Sequence, residues 1–266
     1  MPAATAAPPA AVAEGAAGSP GETGLAGQDL ALEIHRRLCG EYGCPVPFFH
    51  ETAPLAELVS SVLSHRTRNA DSGRAFKQLR AAFPTWEAVR DADEAAVRKE
   101  LAPCTWPEQK APRVQHILRL VTERTGGVGE DALDFLVDVP VKEARAWLEE
   151  LPGVGPKTSA AVLNFSRLHR PALPVDSHHH RVAQRIGLIG AKVSVGPSHK
   201  VLAGFVPADW DGQQTYDHHE MFMFHGQRVC HYRGPKCGAC VLLDLCPTGA
   251  ARVAAGKGGP GPDKPR

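Results

Sequence analysis

Apolar residues recur at intervals of three and four along most of the chain, which is the spacing that places them on one face of an α-helix. The pattern predicts helical segments over residues 30–38, 55–63, 75–83, 95–101, 114–121, 141–148, 158–168 and 181–189. Proline and glycine residues separate these segments, and no alternating apolar and polar run is long enough for a β-strand. The sequence therefore predicts an all-α protein of about ten short helices.

The two ends of the chain lack this pattern. Residues 1–28 consist mostly of Ala, Gly, Pro, Ser and Thr, and residues 249–266 are rich in Gly and Pro and carry a basic excess. Both ends are therefore predicted to be disordered tails. The first tail lacks the basic start and apolar core of a secretory signal, and no run of about 18 apolar residues occurs, so we expect a protein that is neither secreted nor bound to a membrane.

Charge is distributed unevenly, although the formal net charge of the 266-residue chain is only +1. Residues 151–205 contain seven basic side chains and a single acid, Asp176, whereas residues 130–150 are acidic. Such asymmetry is typical of a protein with one basic face, but a chance fluctuation on a solvated surface would look the same. Charge alone therefore leaves nucleic-acid binding open.

A glycine-rich turn with the sequence LPGVGPK separates two helical segments at residues 151–157. Glycines two positions apart permit a tight turn and let the backbone approach a ligand closely. Pro156 suits the first turn of the following helix, whose free N–H groups can bind a phosphate oxygen. The segment predicts a helix-hairpin-helix element that grips DNA by its backbone, and a plain corner between two helices is the alternative.

Four of the seven cysteines crowd into one short segment. Their spacing is C-x6-C-x2-C-x5-C, and without a secretory signal such a cluster favours a metal group over disulfides. Structural zinc sites usually pair two C-x2-C-like turns, and only one such spacing occurs here. The spacing therefore favours one [4Fe-4S] cluster over a zinc ion, and the predicted ligands are Cys230, Cys237, Cys240 and Cys246.

The run LPGVGPKTSAAVLNF at 151–165, followed by PVDSHHHRVAQRIGLI at 174–189, resembles the signature of the endonuclease III family of iron–sulfur helix-hairpin-helix DNA glycosylases. The resemblance covers residues 29–247. It implies two helical lobes that flank a DNA-binding cleft. One lobe would be a helical barrel at 50–163 that ends in the helix-hairpin-helix, and the other an iron–sulfur cluster lobe formed by 29–49 and 164–248. It also implies a cytoplasmic, nucleoid-associated monomer that acts on double-stranded DNA with damaged bases or abasic sites.

The resemblance gives the catalytic roles to Lys157 and Asp176. In the family, the lysine after the hairpin attacks C1′ of the damaged nucleotide and the aspartate assists it. This chemistry suits the pair, because breaking an N-glycosidic bond builds positive charge on the sugar, which a carboxylate stabilises. The lysine must be neutral to attack, which partial burial or nearby positive charge would favour. Taken alone, Lys157 could instead contact a phosphate and Asp176 could cap a helix.

A glycosylase must flip its target base out of the duplex and fill the gap. In the family, a segment like residues 63–69 supplies one side chain that fills the gap, and this position corresponds to Arg66 here. A second loop supplies an apolar wedge, which an alignment through Lys110 places at Trp106. A packed core or interface residue is the alternative for Trp106. Asn69 stands where the family usually has Asp. The other residues predicted to contact DNA are Leu151, Gly153, Val154, Gly155, His178, Arg233 and Lys236.

Three functions are compatible with these features. Lys157 favours a base excision DNA glycosylase with associated AP lyase activity on oxidised or ring-saturated pyrimidines. A monofunctional mismatch or base glycosylase is the first alternative, although such relatives usually lack this lysine. A weakly active protein that binds or senses lesions is the second alternative, because Arg66, Asn69 and Trp106 are atypical.

Overall fold

We describe the protein from a computed structural model, in which residues 24–48 and 52–259 are described. This part of the chain is all-α, as the apolar spacing predicted, and contains twelve α-helices and three short 3-10 helices. The α-helices are α1 (Gly27–Tyr42), α2 (Pro54–Ser64), α3 (Asn69–Ala82), α4 (Trp86–Asp91), α5 (Glu94–Glu100), α6 (Pro107–Thr125), α7 (Val141–Glu149), α8 (Pro156–Phe165), α9 (Ser177–Ile186), α10 (Val195–Ala203), α11 (Gly212–Arg228) and α12 (Pro247–Ala254). The 3-10 helices are Asp134–Val137, Cys237–Ala239 and Leu243–Leu245.

The apolar faces of these helices form two hydrophobic cores. The first core lies among α2 to α8 and includes Leu58, Trp86 and Ile117. The second core joins α1 to α9, α10 and α11 and includes Ile34 and Phe222. Full burial of each such side chain contributes about 1.5–3 kcal/mol relative to exposure. The N-terminal helix α1 therefore belongs with the C-terminal half of the chain, against α11, although the first core separates them in sequence.

Local sequence explains where several helices begin. Helices α2, α6, α8 and α12 begin with a proline, whose fixed φ and missing N–H suit the first helical position. Helix α11 begins with a capping box: the Asp211 carboxylate accepts a hydrogen bond from the Gln214 N–H, and the Gln214 side-chain oxygen accepts one from the Asp211 N–H. These signals fix the ends of the helices that carry the site described below.

The parts of the chain that form the two hydrophobic cores meet where α8 ends and α11 begins. Asn164 is fully buried, and its Nδ2 donates hydrogen bonds to the carbonyl oxygens of Arg170 and Gly212 at 2.8 and 2.9 Å. A Cβ at Gly212 would lie 1.8 Å from the carbonyl oxygen of His169. The seam therefore needs a residue without a side chain at 212, and it fixes α11 against the end of α8.

The C-terminal stretch differs from the expectation. Disorder was predicted over 249–266, but α12 continues to Ala254, so the prediction is wrong for residues 249–254. Pro247 favours the first helical position, and the Cys246 Sγ accepts a hydrogen bond from the Gly249 N–H at 3.2 Å, which supplies a cap. At the other end, α1 begins at Gly27, inside the tail predicted over 1–28. Residues 1–23, 49–51 and 260–266 lie outside the described residues.

A disulfide between Cys39 and Cys44 closes the end of α1. This pairing was not predicted, because both cysteines stand far from the clustered four in the sequence. The bond is followed by Val46, whose N–H donates to the Asp217 carboxylate at 2.8 Å and whose carbonyl accepts from Gln213. The segment after α1 is thus held against α11.

Among the described helices, none combines the length and apolar character that a membrane-spanning helix needs.

Candidate active site and DNA-facing surface

The hairpin between α7 and α8 places Lys157 directly after the first residue of α8. Gly153 has a left-handed backbone with a φ of 79°, and a Cβ there would lie 2.8 Å from the Cδ of Arg113. Glycine avoids both the strain and the clash. Gly155 precedes α8 in an extended conformation with open space beside its Cα. The turn therefore leaves its backbone accessible in front of the α8 N-terminus.

The four predicted DNA-contacting residues of the hairpin fall into two groups. Leu151 and Val154 are buried, so their side chains pack into the interior beneath the turn and do not face solvent. Gly153 is exposed and Gly155 is half-buried. A contact between this hairpin and a phosphate would therefore use backbone N–H groups, which carry no base-sequence information.

Titratable side chains of α2 and the loop after it surround the half-buried Lys157. The Nε2 of His65 lies 2.9 Å from the Thr158 Oγ1, and burial, followed by the charge of Lys157, lowers the pKa of His65 to about 4. Glu57 is buried and accepts a hydrogen bond from Ser61. Burial raises the pKa of Glu57 to about 7, against the opposing effects of Ser61 and Lys157. Burial thus disfavours the charged form of both neighbours of Lys157.

Asp176 is the N-cap of α9. Its Oδ1 accepts a hydrogen bond from the His179 N–H at 2.7 Å, and its side chain is half-exposed. A carboxylate in this position satisfies a free N–H of the first turn and interacts favourably with the helix dipole. The alternative of a helix-capping Asp176 therefore describes a role that the residue has.

His219 connects Lys157 and Asp176. It is buried in α11, with its Nδ1 2.8 Å from the Pro174 carbonyl oxygen. Burial lowers the pKa of His219, the negative charge of Asp176 raises it, and the positive charge of Lys157 lowers it. The charges of both residues thus influence one buried imidazole, and α11 contacts both α8, which carries Lys157, and α9, which begins after Asp176.

The four cysteines of the spaced motif line a single pocket beside α9 and α12. Three sulfurs accept hydrogen bonds: Cys230 from Arg185 at 3.3 Å, Cys240 from the Leu242 N–H at 3.4 Å, and Cys246 from the Gly249 N–H at 3.2 Å. Across residues 24–48 and 52–259, no three His, Cys, Asp or Glu side chains are arranged to hold a metal ion. The sulfurs therefore share one pocket without forming a ready mononuclear site.

Arg66 and Trp106 project from neighbouring loops. Arg66 is exposed, and the side chain of Trp106 is 46% exposed, so Trp106 is not a core residue. Both residues have left-handed backbones, with φ values of 52° and 55°, which is uncommon for residues other than glycine. The two side chains predicted to enter the duplex are thus on the surface.

The remaining predicted DNA contacts lie on α9 and on the cysteine loop, in the part of the chain that forms the second core. His178 is half-buried in the first turn of α9, with its Nδ1 3.0 Å from the Arg181 guanidinium. Arg233 and Lys236 are exposed on the cysteine loop. His178 is therefore close to Asp176 in the chain and on the helix, whereas the two cations lie beside the cysteine pocket.

Sequence reasoning missed several residues that shape the site. Glu57 stands within an apolar helical run, which was a signal for a buried carboxyl near the hairpin. His65 and His219 gave no local signal, because their partners lie on distant segments. Lys110 was used only to align the loop that carries Trp106. Its Nζ makes three hydrogen bonds to residues 63–67, the segment that carries Arg66.

Comparison with known proteins gives the family. The model of the HhH-GPD superfamily base excision DNA repair proteins matches residues 59–204, which is more than half of the chain. Endonuclease III of Thermotoga maritima is 30% identical over 220 residues, which cover 82% of this chain and 91% of that protein. The chain belongs to the endonuclease III family of this superfamily. Its members repair DNA by base excision, and the chain is a DNA glycosylase.

A second curated relative agrees with this assignment, and two solved structures share the fold. Endonuclease III of Escherichia coli is 29% identical over 81% of this chain and 93% of that protein. A solved non-covalent Endonuclease III–DNA complex has a TM-score of 0.71 at 23% identity and covers 86% of this chain and 100% of that chain. A thermostable thymine-DNA glycosylase gives a TM-score of 0.66 at 21% identity, covering 83% and 95%. The predicted all-α fold of the endonuclease III family is thus confirmed.

Proposed function

We propose that this endonuclease III family member is a bifunctional glycosylase and AP lyase, which removes oxidised or ring-saturated pyrimidines from duplex DNA and then nicks the strand. The observation that carries the proposal is the placement of Lys157 at the start of α8 and of Asp176 at the start of α9, two helices that both contact α11. A monofunctional glycosylase would not need an amine at this position.

The reaction requires one nucleophile and one carboxylate. The neutral Nζ of Lys157 forms a bond to C1′ of the damaged nucleotide, and the N-glycosidic bond breaks with its electron pair leaving on the base. Asp176 stabilises the positive charge that develops on the sugar. The attacking nitrogen loses a proton, and the C1′–O4′ bond then breaks with its electron pair leaving on O4′, which takes up a proton, so that the opened sugar is joined to Nζ as a Schiff base. This Schiff base acidifies a proton on C2′. Loss of that proton and cleavage of the C3′–oxygen bond then complete β-elimination.

Double-stranded DNA with a damaged base or an abasic site is the proposed partner, bound by one copy of the chain. The hairpin backbone at Gly153 and Gly155 would bind phosphates, and His178 would lie beside the flipped nucleotide. Arg66 and Trp106 would enter the duplex, where an aromatic side chain can stack on bases. The protein would then read damage through the flipped base rather than through sequence.

Cys230, Cys237, Cys240 and Cys246 are proposed to hold one [4Fe-4S] cluster. The donor set fits, because four thiols line one pocket and three of them already accept hydrogen bonds of the kind that stabilise cluster sulfurs. When bound, the cluster would hold the loop rigid and present Arg233 and Lys236 to DNA.

Borohydride trapping tests the proposal. The native protein, Lys157→Gln and the matched control Lys142→Gln, an exposed lysine on α7, are incubated with duplexes containing thymine glycol or an abasic site. We expect a covalent adduct on both duplexes with the native and control proteins, and none with Lys157→Gln. An adduct on the abasic duplex alone would retain the lyase and reject the pyrimidine specificity. Binding without any adduct would favour the monofunctional or lesion-sensing alternatives.

A further inference from the structure

The two exposed loops that carry Arg66 and Trp106 are joined by one buried cation. Lys110 lies in the first turns of α6 and is only 3% exposed. Its Nζ donates hydrogen bonds to the carbonyl oxygens of Leu63 and His65 at 2.6 and 2.9 Å, and to the Thr67 Oγ1 at 2.7 Å. All three donors of the ammonium group are therefore used on the segment that flanks Arg66.

Thr67 completes the connection in the other direction. Its Oγ1 accepts from the Lys110 Nζ and also from the Thr105 N–H at 3.1 Å, next to Trp106. The same hydroxyl lies 3.4 Å from the His65 carbonyl oxygen as a donor. One hydroxyl thus bonds to both loops, next to Arg66 on one side and next to Trp106 on the other.

The bonding partners of the Lys110 ammonium are uncharged. Two of them are carbonyl oxygens at the C-terminal end of α2, where the helix dipole favours a cation. Burying a cation without a carboxylate is costly unless every donor is satisfied. Burial lowers the pKa of Lys110, against a weaker effect of Cys104. The three hydrogen bonds satisfy every donor, so the buried ammonium group holds three acceptors of the segment that flanks Arg66.

We propose that Lys110 is a positioning residue that, through Thr67, locks the Arg66 and Trp106 loops into one rigid unit for entry into the duplex. Because the loops are already ordered, they lose little conformational freedom when the target base leaves the stack. The inference rests on the proposed function, since it takes the two tips to be the DNA-inserting residues. Lys110 touches neither substrate nor reacting atoms.

The test compares Lys110→Met and Thr67→Val with the native protein and with Lys99→Met, which removes an exposed lysine of α5. Single-turnover excision is measured on a lesion in a fully paired duplex and on the same lesion placed opposite an abasic site, where no base pair has to be broken. Strand cleavage at a preformed abasic site is the third readout. We expect Lys110→Met and Thr67→Val each to slow excision from the paired duplex by about tenfold or more, and to slow the other two reactions by less than about threefold.

A purely structural role would give a different pattern. Equal losses on all three substrates, or no loss on any, would overturn the proposal. Thr67→Val keeps the size of the side chain, so it remains informative if Lys110→Met fails to fold. Fluorescence of 2-aminopurine beside the lesion reports base extrusion without chemistry. If the native protein excises nothing, the proposed function fails. The positioning role of Lys110 is then still supported if Lys110→Met and Thr67→Val extrude the base less than Lys99→Met does. Unchanged extrusion rejects that role.

Discussion

At the scale of single residues, Asp176 combines two roles. Its Oδ1 caps α9 through the His179 N–H, and in the proposed reaction its charge stabilises the sugar cation. Asparagine caps a helix about as well as aspartate but carries no charge. The two roles can therefore be separated by comparing Asp176→Asn with Asp176→Ala.

We expect Asp176→Asn to change the free energy of unfolding by less than about 0.5 kcal/mol, while it slows single-turnover excision by about 100-fold or more. Asp176→Ala loses the cap as well, so its free energy of unfolding should fall by about a further 1 kcal/mol. Urea unfolding and excision rates on the same preparations measure both effects. If excision falls only in proportion to lost stability, the carboxylate has no role beyond the cap.

The two hairpin glycines provide a second comparison at this scale. Gly153→Ala places a methyl group 2.8 Å from the Arg113 side chain at a φ of 79°, and we expect it to lower the free energy of unfolding by about 1–2 kcal/mol. Gly155→Ala meets open space, so stability should hold, but the methyl group would occupy the approach to the hairpin backbone and weaken DNA affinity. Filter binding with an abasic duplex measures this. Native affinity in Gly155→Ala would show that DNA does not approach residue 155.

At the scale of helices, the seam between α8 and α11 depends on Gly212. A Cβ at this position would lie 1.8 Å from the His169 carbonyl oxygen, so any side chain must push α11 away from the segment that follows α8. We expect Gly212→Ala to lower the free energy of unfolding by about 3 kcal/mol or more. Gly196→Ala in α10 meets no atom within 4 Å, so it should be neutral or stabilising by about 0.5 kcal/mol. Thermal unfolding followed by circular dichroism compares them, and equal midpoints would contradict the close seam.

The sequence predicted those helices whose own apolar residues repeat over two turns or more, such as α2 and α6. It missed α4 because six residues are too few for a periodic signal, and α12 because its side chains are mostly small. The hairpin lysine predicted to be catalytic and the cysteine motif were visible because their spacing is local. The partners of Lys110 lie 43 to 47 residues away along the chain, and no local pattern encodes such contacts.

At the scale of the whole molecule, buried titratable groups of opposite effect set the dependence of stability on pH. Burial lowers the pKa of His218 to about 3, in an aromatic cluster with His35, His179 and Trp210. The unfolded chain therefore binds more protons at this residue, and stability falls as pH drops from about 6.5. Burial raises the pKa of Glu220 to about 7, so there the folded chain binds more protons and stability falls as pH rises from about 4.5 to 7.

The opposing effects can be separated by substitution. We expect His218→Phe, which keeps an aromatic ring, to reduce the loss of stability between pH 6.5 and 4.5 by roughly 2 kcal/mol. Glu220→Gln should instead remove a loss of roughly the same size between pH 4.5 and 7. Urea unfolding at four pH values from 4.5 to 7.5 gives the slopes for the native protein and both variants. Because the two slopes have opposite signs, a general loss of packing cannot mimic the pair. Parallel curves for all three proteins would show that neither group changes its proton affinity on folding.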